Sequence, residues 1–142
     1  MILAIDPGTT QSGWVLFDGA RVHASGTDPN AAVLGMIGVS DANTLAIERF
    51  EARGMPMGED SIETVIWTGR FVQAWRDPDA VRLITRRKVK EHMCGSSKAR
   101  DPNVRQAVID TVGPVGVKAN PGPCYGVSSH AWQALAVAVT AL

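Results

Sequence analysis

Two carboxylates stand directly after apolar runs that read as buried strands. Asp6 follows Ile2–Ile5 and precedes Pro7-Gly8, and Glu48 follows Leu45–Ile47. If the two strands pair in parallel, both side chains emerge at one edge of the sheet, where their repulsion requires a proton or a bridging divalent cation. Nucleases that catalyse phosphoryl transfer need such a pair to hold metal ions.

Plainer structural roles are open for both residues. An aspartate before Pro-Gly is also common as the cap of a simple turn. Glu48 precedes Arg49 and has the alternative of pairing with it or with another basic side chain. Asp6 and Glu48 are therefore candidate site residues whose roles depend on what surrounds them.

The start of the last predicted helix adds two further side chains. Ser128 or Ser129 is expected to cap this helix, and His130 and Gln133 come next. Residues three apart share one helix face, so His130 and Gln133 are expected side by side. A helix-capping or core histidine is the alternative for His130.

The charge of the chain is balanced but unevenly distributed. The formal net charge is zero, with 14 Lys and Arg residues against 14 Asp and Glu residues. Basic side chains crowd residues 82–105, where only Glu91 and Asp101 oppose them. Such a local patch binds phosphates whatever the net charge, although a solvated surface helix and loop would give the same pattern.

The elements that must position these residues alternate between strands and helices. Strands are predicted over 1–5, 13–17, 21–25, 44–48 and 81–85, with a hairpin turn at Asp18-Gly19. Helices are predicted over 28–38, 59–76, 87–93, 103–112 and from Ser128 or Ser129 to the C-terminus, with loops over 94–100 and 113–126. This order predicts one α/β domain over residues 1–142: a three-strand antiparallel meander plus two parallel strands in one sheet, with helices on both faces.

The helix over 59–76 is apolar on two faces. One stripe is formed by Ile62, Val65, Ile66, Gly69 and Val72. The other is aromatic and is formed by Trp67, Phe71 and Trp75. We expect the first stripe to cover the sheet and the aromatic stripe to form the interface of a symmetric homodimer, the alternative being a neighbouring helix of the same chain.

Composition excludes several classes of protein. No stretch is long and apolar enough to span a membrane, and no basic region precedes an apolar one at the N-terminus. Cys94 and Cys124 are the only cysteines and are expected to be free thiols. A cytoplasmic protein without a membrane partner is predicted.

Four segments, taken in order, resemble RuvC-type Holliday-junction resolvases of the ribonuclease H-like superfamily, in particular the phage members. The segments are Ile2–Trp14, Leu45–Glu48, Val89–Arg105 and Ser129–Ala138. Sugar-kinase and actin-like ATPases share the opening Asp-x-Gly-Thr-Thr pattern and leave a phosphate-binding ATPase fragment as an alternative, but their duplicated domains need roughly twice this length. The resemblance implies a ribonuclease H-like fold.

The resemblance also implies a metal site. Asp6, Glu48, His130 and Gln133 would be its catalytic, metal-binding residues, holding two Mg²⁺ ions, with Mn²⁺ as a further option. Gln133 departs from the family, which places a carboxylate there, and a neutral amide binds Mg²⁺ weakly. Two explanations are open: an introduced Asp→Gln change that inactivates the protein, or a natural site that acts mainly by binding.

The implied activity is structure-selective DNA cleavage. Metal-activated water would attack the scissile phosphate of a Holliday junction or other branched DNA, in a phage-infected or bacterial cytoplasm. Contacts to the DNA backbone are expected from Lys88, Lys90, Lys98, Arg100 and Arg105. Phe50, Met55 and Met57 are either a wedge at the crossover or incidental apolar residues of a loop. The alternative function is a non-catalytic module that binds branched DNA.

Overall fold

A five-stranded mixed sheet forms the centre of the computed structural model, which describes residues 1–142. The strands are β1 (Ile2–Asp6), β2 (Gln11–Phe17), β3 (Val22–Pro29), β4 (Thr44–Arg49) and β5 (Arg82–Thr85). Their order is β3-β2-β1-β4-β5, with β1, β2 and β3 antiparallel and β1, β4 and β5 parallel. The predicted meander with two parallel strands added is confirmed.

Helices cover both faces of the sheet. They are α1 (Asn30–Val39), α2 (Glu59–Ala74), α3 (Arg86–Cys94), α4 (Asp101–Val112) and α5 (Ala131–Thr140). A 3₁₀ turn over Pro78–Ala80 separates α2 from β5. None of the helices combines the length and apolar character needed to cross a membrane.

Strand alternation divides the interior into two cores. In β1, Ile2 and Ala4 pack with α5 in one core, whereas Leu3 and Ile5 pack with α1 and α2 in the other. In β4, Ala46 likewise faces α5. Because successive side chains of a strand point to opposite faces, residues two positions further along also face α5. This parity carries the side chains of Asp6 and Glu48 toward α5.

The two apolar faces of α2 are real, but the aromatic one faces the sheet, together with Val72 of the aliphatic stripe. Phe71 and Trp75 are 0% and 4% exposed and pack against the sheet, and Trp67 packs at the border of the same core. Ile62 and Ile66 are 47% and 50% exposed. The expected dimer interface at Trp67, Phe71 and Trp75 is therefore corrected, because these larger rings bury more apolar area by facing inward than the aliphatic stripe would.

Several boundaries differ from the sequence-based expectation. The region 113–126, expected to be a loop, contains a small hairpin of β6 (Gly116–Val117) and β7 (Asn120–Pro121). The last helix begins at Ala131, after Ser128 and Ser129. Ser129 has a φ of 49°, in the left-handed region, and lies in the turn that precedes the helix. His130 takes the N-cap position and makes no side-chain cap hydrogen bond.

Candidate active site

Asp6 and Glu48 lie side by side at the carboxyl end of the central parallel strands. The register pairs Ile5 with Ile47, which places the next residue of each strand at the same edge. Their side chains are 16% and 14% exposed. The predicted pair of strand-end carboxylates is thus present, and both face α5.

A buried polar network holds the turn that follows Asp6. The Gly8 N–H donates to Ser12 Oγ at 3.1 Å, and the Ser12 hydroxyl donates to Asn30 Oδ1 at 2.6 Å. Asn30 Nδ2 in turn donates to the Gly8 carbonyl at 3.0 Å. The first residue of α1 therefore closes the turn, and each polar group buried there has a partner. The sequence predicted Asn30 only as part of the start of a helix, without a role in this turn.

The first turn of α5 sits directly on β2. A Cβ at Gly13 would lie 2.5 Å from the backbone carbonyl oxygen of His130, closer than atoms approach without a shift. Gly13 also pairs with Asp6 across the β1–β2 register. Its missing side chain allows the helix start to pack against the sheet beside the carboxylate.

This packing brings each residue of the α5 pair to one carboxylate. His130 Nδ1 is 3.6 Å from Asp6 Oδ2. Gln133 Nε2 donates a hydrogen bond to Glu48 Oε2 at 2.7 Å. All four residues singled out from the sequence are together in space.

Arg86 is a site residue that sequence reasoning did not single out. Its Nη1 lies 3.3 Å and 3.5 Å from the two carboxylate oxygens of Glu48, and its Nη2 contacts Asp101 Oδ1. The alternative that Glu48 pairs with a basic side chain is therefore what the structure shows, with Arg86 in place of Arg49. Strand parity was the available signal, because Ile84 faces α5 and Arg86 comes two residues later.

The position of the Arg86 side chain is determined by its backbone at the start of α3 and by the carboxylates that it contacts. It is the first residue of α3, and the Thr85 hydroxyl caps the helix by accepting from the Lys88 N–H at 3.2 Å. Strand β5 ends beside Glu48, since Ile84 pairs with Glu48 in the parallel register. Asp101, the first residue of α4, holds the other side of the guanidinium.

Burial raises the pKa of both strand-end carboxylates. It raises the pKa of Asp6 to about 7, and the negative charges of Glu48 and Asp101 add to the effect while Arg86 opposes it. Burial also raises the pKa of Glu48, against the charge of Arg86 and the hydrogen bond from Gln133. Raised carboxylate pKa values of this kind are typical of functional sites, and structural ion-pair networks also produce them.

Asp6 faces an open groove of about 510 Å³, and Glu48 lines a hollow beside it. The lining residues of the groove come from β1, α3, α4 and α5, and they are Asp6, Arg86, Asp101, Pro102, Val104, Arg105, Ser129, His130, Trp132 and Gln133. The Arg105 guanidinium lies 4.5 Å from the ring centroid of Trp132, a stacking distance. One wall of the groove thus presents a cation held in place by an aromatic ring.

The other basic residues singled out from the sequence lie outside the lining of this groove. Lys90 borders an adjoining hollow with Glu48 and Arg86. Lys88 is exposed on α3, Lys98 is exposed in the following loop, and Arg100 is exposed at the N-cap of α4. The structure therefore places Arg105 in the groove, Lys90 in the hollow beside it, and the other three on the exposed surface.

The residues that the resemblance implies as metal ligands fit a divalent cation at one end of the site. Asp6 accepts no hydrogen bond, and with the His130 imidazole it offers oxygen and nitrogen ligands toward the groove. Glu48 instead has donors on both oxygens, from Arg86 and Gln133. No three His, Cys, Asp or Glu side chains stand together in the geometry of a metal site.

Comparison with known proteins finds structural likeness without sequence likeness. No protein-family model and no curated protein matches the chain. The structure of Thermus thermophilus RuvC in complex with a Holliday junction substrate superposes with a TM-score of 0.69 at 22% identity, covering 98% of this chain and 90% of that chain. A further Thermus thermophilus RuvC structure gives a TM-score of 0.68 at 22% identity, covering 98% and 91%.

The chain therefore has the RuvC-type, ribonuclease H-like fold that the four sequence segments predicted. At this identity the likeness establishes the fold. The chemistry depends on the residues of the site itself.

Proposed function

We propose that this protein is a divalent-metal-dependent endonuclease that cleaves Holliday junctions or other branched DNA. The observation that carries the proposal is the juxtaposition, in one groove, of the strand-end carboxylate Asp6, the imidazole of His130 and the basic side chain of Arg105. The fold is shared with a protein whose structure contains a Holliday junction substrate.

Asp6 and His130 would hold the cation, Mg²⁺ or Mn²⁺. When bound there, such a cation activates water and stabilises the charge that develops on the scissile phosphate. Glu48 lies next to Asp6 and is oriented by the Gln133 amide and the Arg86 guanidinium. A carboxylate fixed in this way is positioned to hold the proton that the attacking water loses.

The basic residues would position the DNA backbone over the groove. Phosphate contacts need charge and reach and carry no base code, which suits an enzyme that selects DNA by shape. Arg105 would contact the phosphates nearest the carboxylates, since it lines the groove with Asp6. Lys88, Lys90, Lys98 and Arg100 would extend the contact along the arms of the junction.

A homodimer would match the two-fold symmetry of a four-way junction, with one groove on each of two opposed strands. The surface that we propose for it is the outer face of α2, formed by Ile62, Val65 and Ile66. This face continues onto Leu83 of the edge strand β5, which is also exposed. The dimer surface thus lies on the opposite side of the helix from the aromatic stripe.

A second candidate function is supported by one specific observation. The donors from Arg86 and Gln133 occupy Glu48, the carboxylate that a resolvase of this type would use for metal. A protein that binds branched DNA without cutting it would tolerate this arrangement.

The experiment is cleavage and binding of a synthetic four-way junction in Mg²⁺ and in Mn²⁺. It compares the unchanged chain with Asp6→Asn and Gln133→Asp, and uses linear duplex DNA of the same sequence as control. The nuclease proposal expects the unchanged chain to cut the junction and Asp6→Asn to bind it without cutting.

The other outcomes are equally specific. Cutting by Gln133→Asp alone would identify a disabled resolvase. Tight junction binding by all three proteins without cutting would favour the binding module. Equal affinity for junction and linear duplex would refute both functions.

A further inference from the structure

The two strand-end carboxylates differ in what surrounds their oxygens. Glu48 faces three polar contacts: Arg86 Nη1 at 3.3 Å and 3.5 Å, and Gln133 Nε2 at 2.7 Å. Asp6 has only the His130 ring at 3.6 Å. Both oxygens of Glu48 therefore already accept from protein donors, whereas those of Asp6 accept from none and are free for a ligand.

The donors on Glu48 are held in place from several directions. The guanidinium of Arg86 contacts Asp101 as well as Glu48, and a planar guanidinium between two carboxylates has little freedom to leave. Gln133 presents its N–H₂ group to Glu48, so its donor side, and not its oxygen, faces the carboxylate. The side chain at position 133 thus acts here as a hydrogen-bond donor.

A guanidinium can carry out part of the work of a metal ion in phosphoryl transfer. It supplies fixed positive charge to the equatorial oxygens and binds them through paired N–H groups. Arg86 lines the same groove as Asp6 and His130, so its charge lies within the site and not behind it.

We propose that Arg86 takes the place of the second cation, so that each subunit binds one divalent ion, at Asp6 and His130. The catalytic role of Arg86 in this inference rests on the proposed nuclease function, whereas the number of bound ions does not. This arrangement also explains why a glutamine stands at position 133. A carboxylate would be needed there only to bind a second metal ion, and the guanidinium stands in the place of that ion.

The test counts Mn²⁺ ions bound per subunit by electron paramagnetic resonance, with protein and Mn²⁺ alone. The unchanged chain is expected to bind one ion, and Asp6→Asn none. The double variant Arg86→Gln/Gln133→Asp removes the guanidinium and adds a carboxylate, and it is expected to bind two. Arg87→Gln is the matched control, since it removes the same charge from the neighbouring, exposed residue, which pairs with Glu91; it is expected to keep a count of one.

A count of zero or two for the unchanged chain overturns the inference whatever the variants do, so it does not depend on their folding. A count of one for a double variant with a native circular dichroism spectrum also overturns it.

Cleavage gives an independent readout of the role of Arg86. At saturating junction, Arg86→Gln is expected to lower the single-turnover rate by roughly 10²-fold or more, as the loss of a donor to the transition state does. A rate equal to that of Arg87→Gln overturns the catalytic part. Because the ion count needs no DNA, a count of one with no cleavage of any branched DNA would support the single-ion site and refute both the nuclease proposal and the catalytic role of Arg86.

Discussion

Asp6 is a carboxylate in an environment that disfavours its charge. Burial and the charge of Glu48 raise its pKa from 3.8 to about 7, while no donor within hydrogen-bonding distance offsets the penalty. Under the proposed function this group is held ready for a cation, and burying its charge lowers the stability of the metal-free protein.

The stability of the metal-free protein should therefore depend on pH through Asp6. The folded state keeps a proton on Asp6 that the unfolded chain releases above about pH 4, so the unfolding free energy falls as the pH rises from 4 to about 7. Asp6→Asn removes this loss and should raise the unfolding free energy at pH 8 by on the order of 2–4 kcal/mol. Urea unfolding at several pH values in EDTA measures it.

The control for this prediction is Asp41→Asn, which neutralises an exposed aspartate. It should leave the pH dependence unchanged. The assignment to Asp6 would be contradicted if the unfolding free energy of Asp6→Asn fell with pH as steeply as that of the unchanged chain, or more steeply.

Arg105 packs against an aromatic ring in the lining of the groove. Its guanidinium stacks on Trp132, which neighbours the α5 residue Gln133. Arg105→Ala should weaken junction binding and reduce the dependence of affinity on salt by about one ion. Arg105→Lys should recover the salt dependence but only part of the affinity, since an ammonium group does not stack as a planar guanidinium does.

Fluorescence anisotropy of a labelled four-way junction over a series of NaCl concentrations checks both variants. Lys118→Ala, in the turn of the β6–β7 hairpin and outside the groove, is the control. If Arg105→Ala and Lys118→Ala lose the same affinity, the groove is not where the DNA binds.

At the scale of elements, the contact of α5 with β2 determines the geometry of the site. Gly13 is the point of contact, and a methyl group there would meet the His130 backbone. Gly13→Ala should push the helix start outward, lower the unfolding free energy by about 1–3 kcal/mol and weaken Mn²⁺ binding, because His130 moves away from Asp6.

Gly35→Ala is the matched control, because a Cβ at this exposed position of α1 meets nothing within 4 Å. It should raise the unfolding free energy by about 0.5–1 kcal/mol and leave Mn²⁺ binding unchanged. Equal effects of the two substitutions in urea unfolding would show that the α5 contact does not matter.

The sequence predicted most of the elements and the four clustered site residues, because apolar runs and helix spacing are local signals. What it could not decide was which face of α2 is buried. Both stripes have helical spacing, and only the fit of Phe71 and Trp75 against the sheet selects between them. The role of Arg86 likewise depends on a neighbour 38 residues away in the chain, Glu48.

At the scale of the whole molecule, the outer face of α2 groups three exposed apolar side chains that have no partner in the subunit. Its residues Ile62, Val65 and Ile66 are each more than 40% exposed. Exposed apolar side chains grouped on one helix face mark an interaction surface. Ile66→Asp should therefore convert a dimer into a monomer while each subunit stays folded.

Light scattering after size-exclusion chromatography measures the mass of both forms. Val39→Asp provides the control, since Val39 is 85% exposed at the end of α1 and is not part of the outer face of α2. A dimer that persists in Ile66→Asp, or an unchanged chain that is monomeric at micromolar concentration, would rule out the outer face of α2 as the interface.

The sheet separates two interiors, and this has a consequence for how the protein tolerates change. One core, with α3, α4 and α5, supports the groove, and the other, with α1 and α2, supports the outer face of α2. Substitutions that do not touch a common neighbour act independently. The changes in unfolding free energy from Gly13→Ala and Gly35→Ala should therefore sum in the double variant to within about 0.5 kcal/mol. Substitutions in the core of α1 and α2 that do not touch Asn30 are therefore expected to leave the geometry of the groove unchanged.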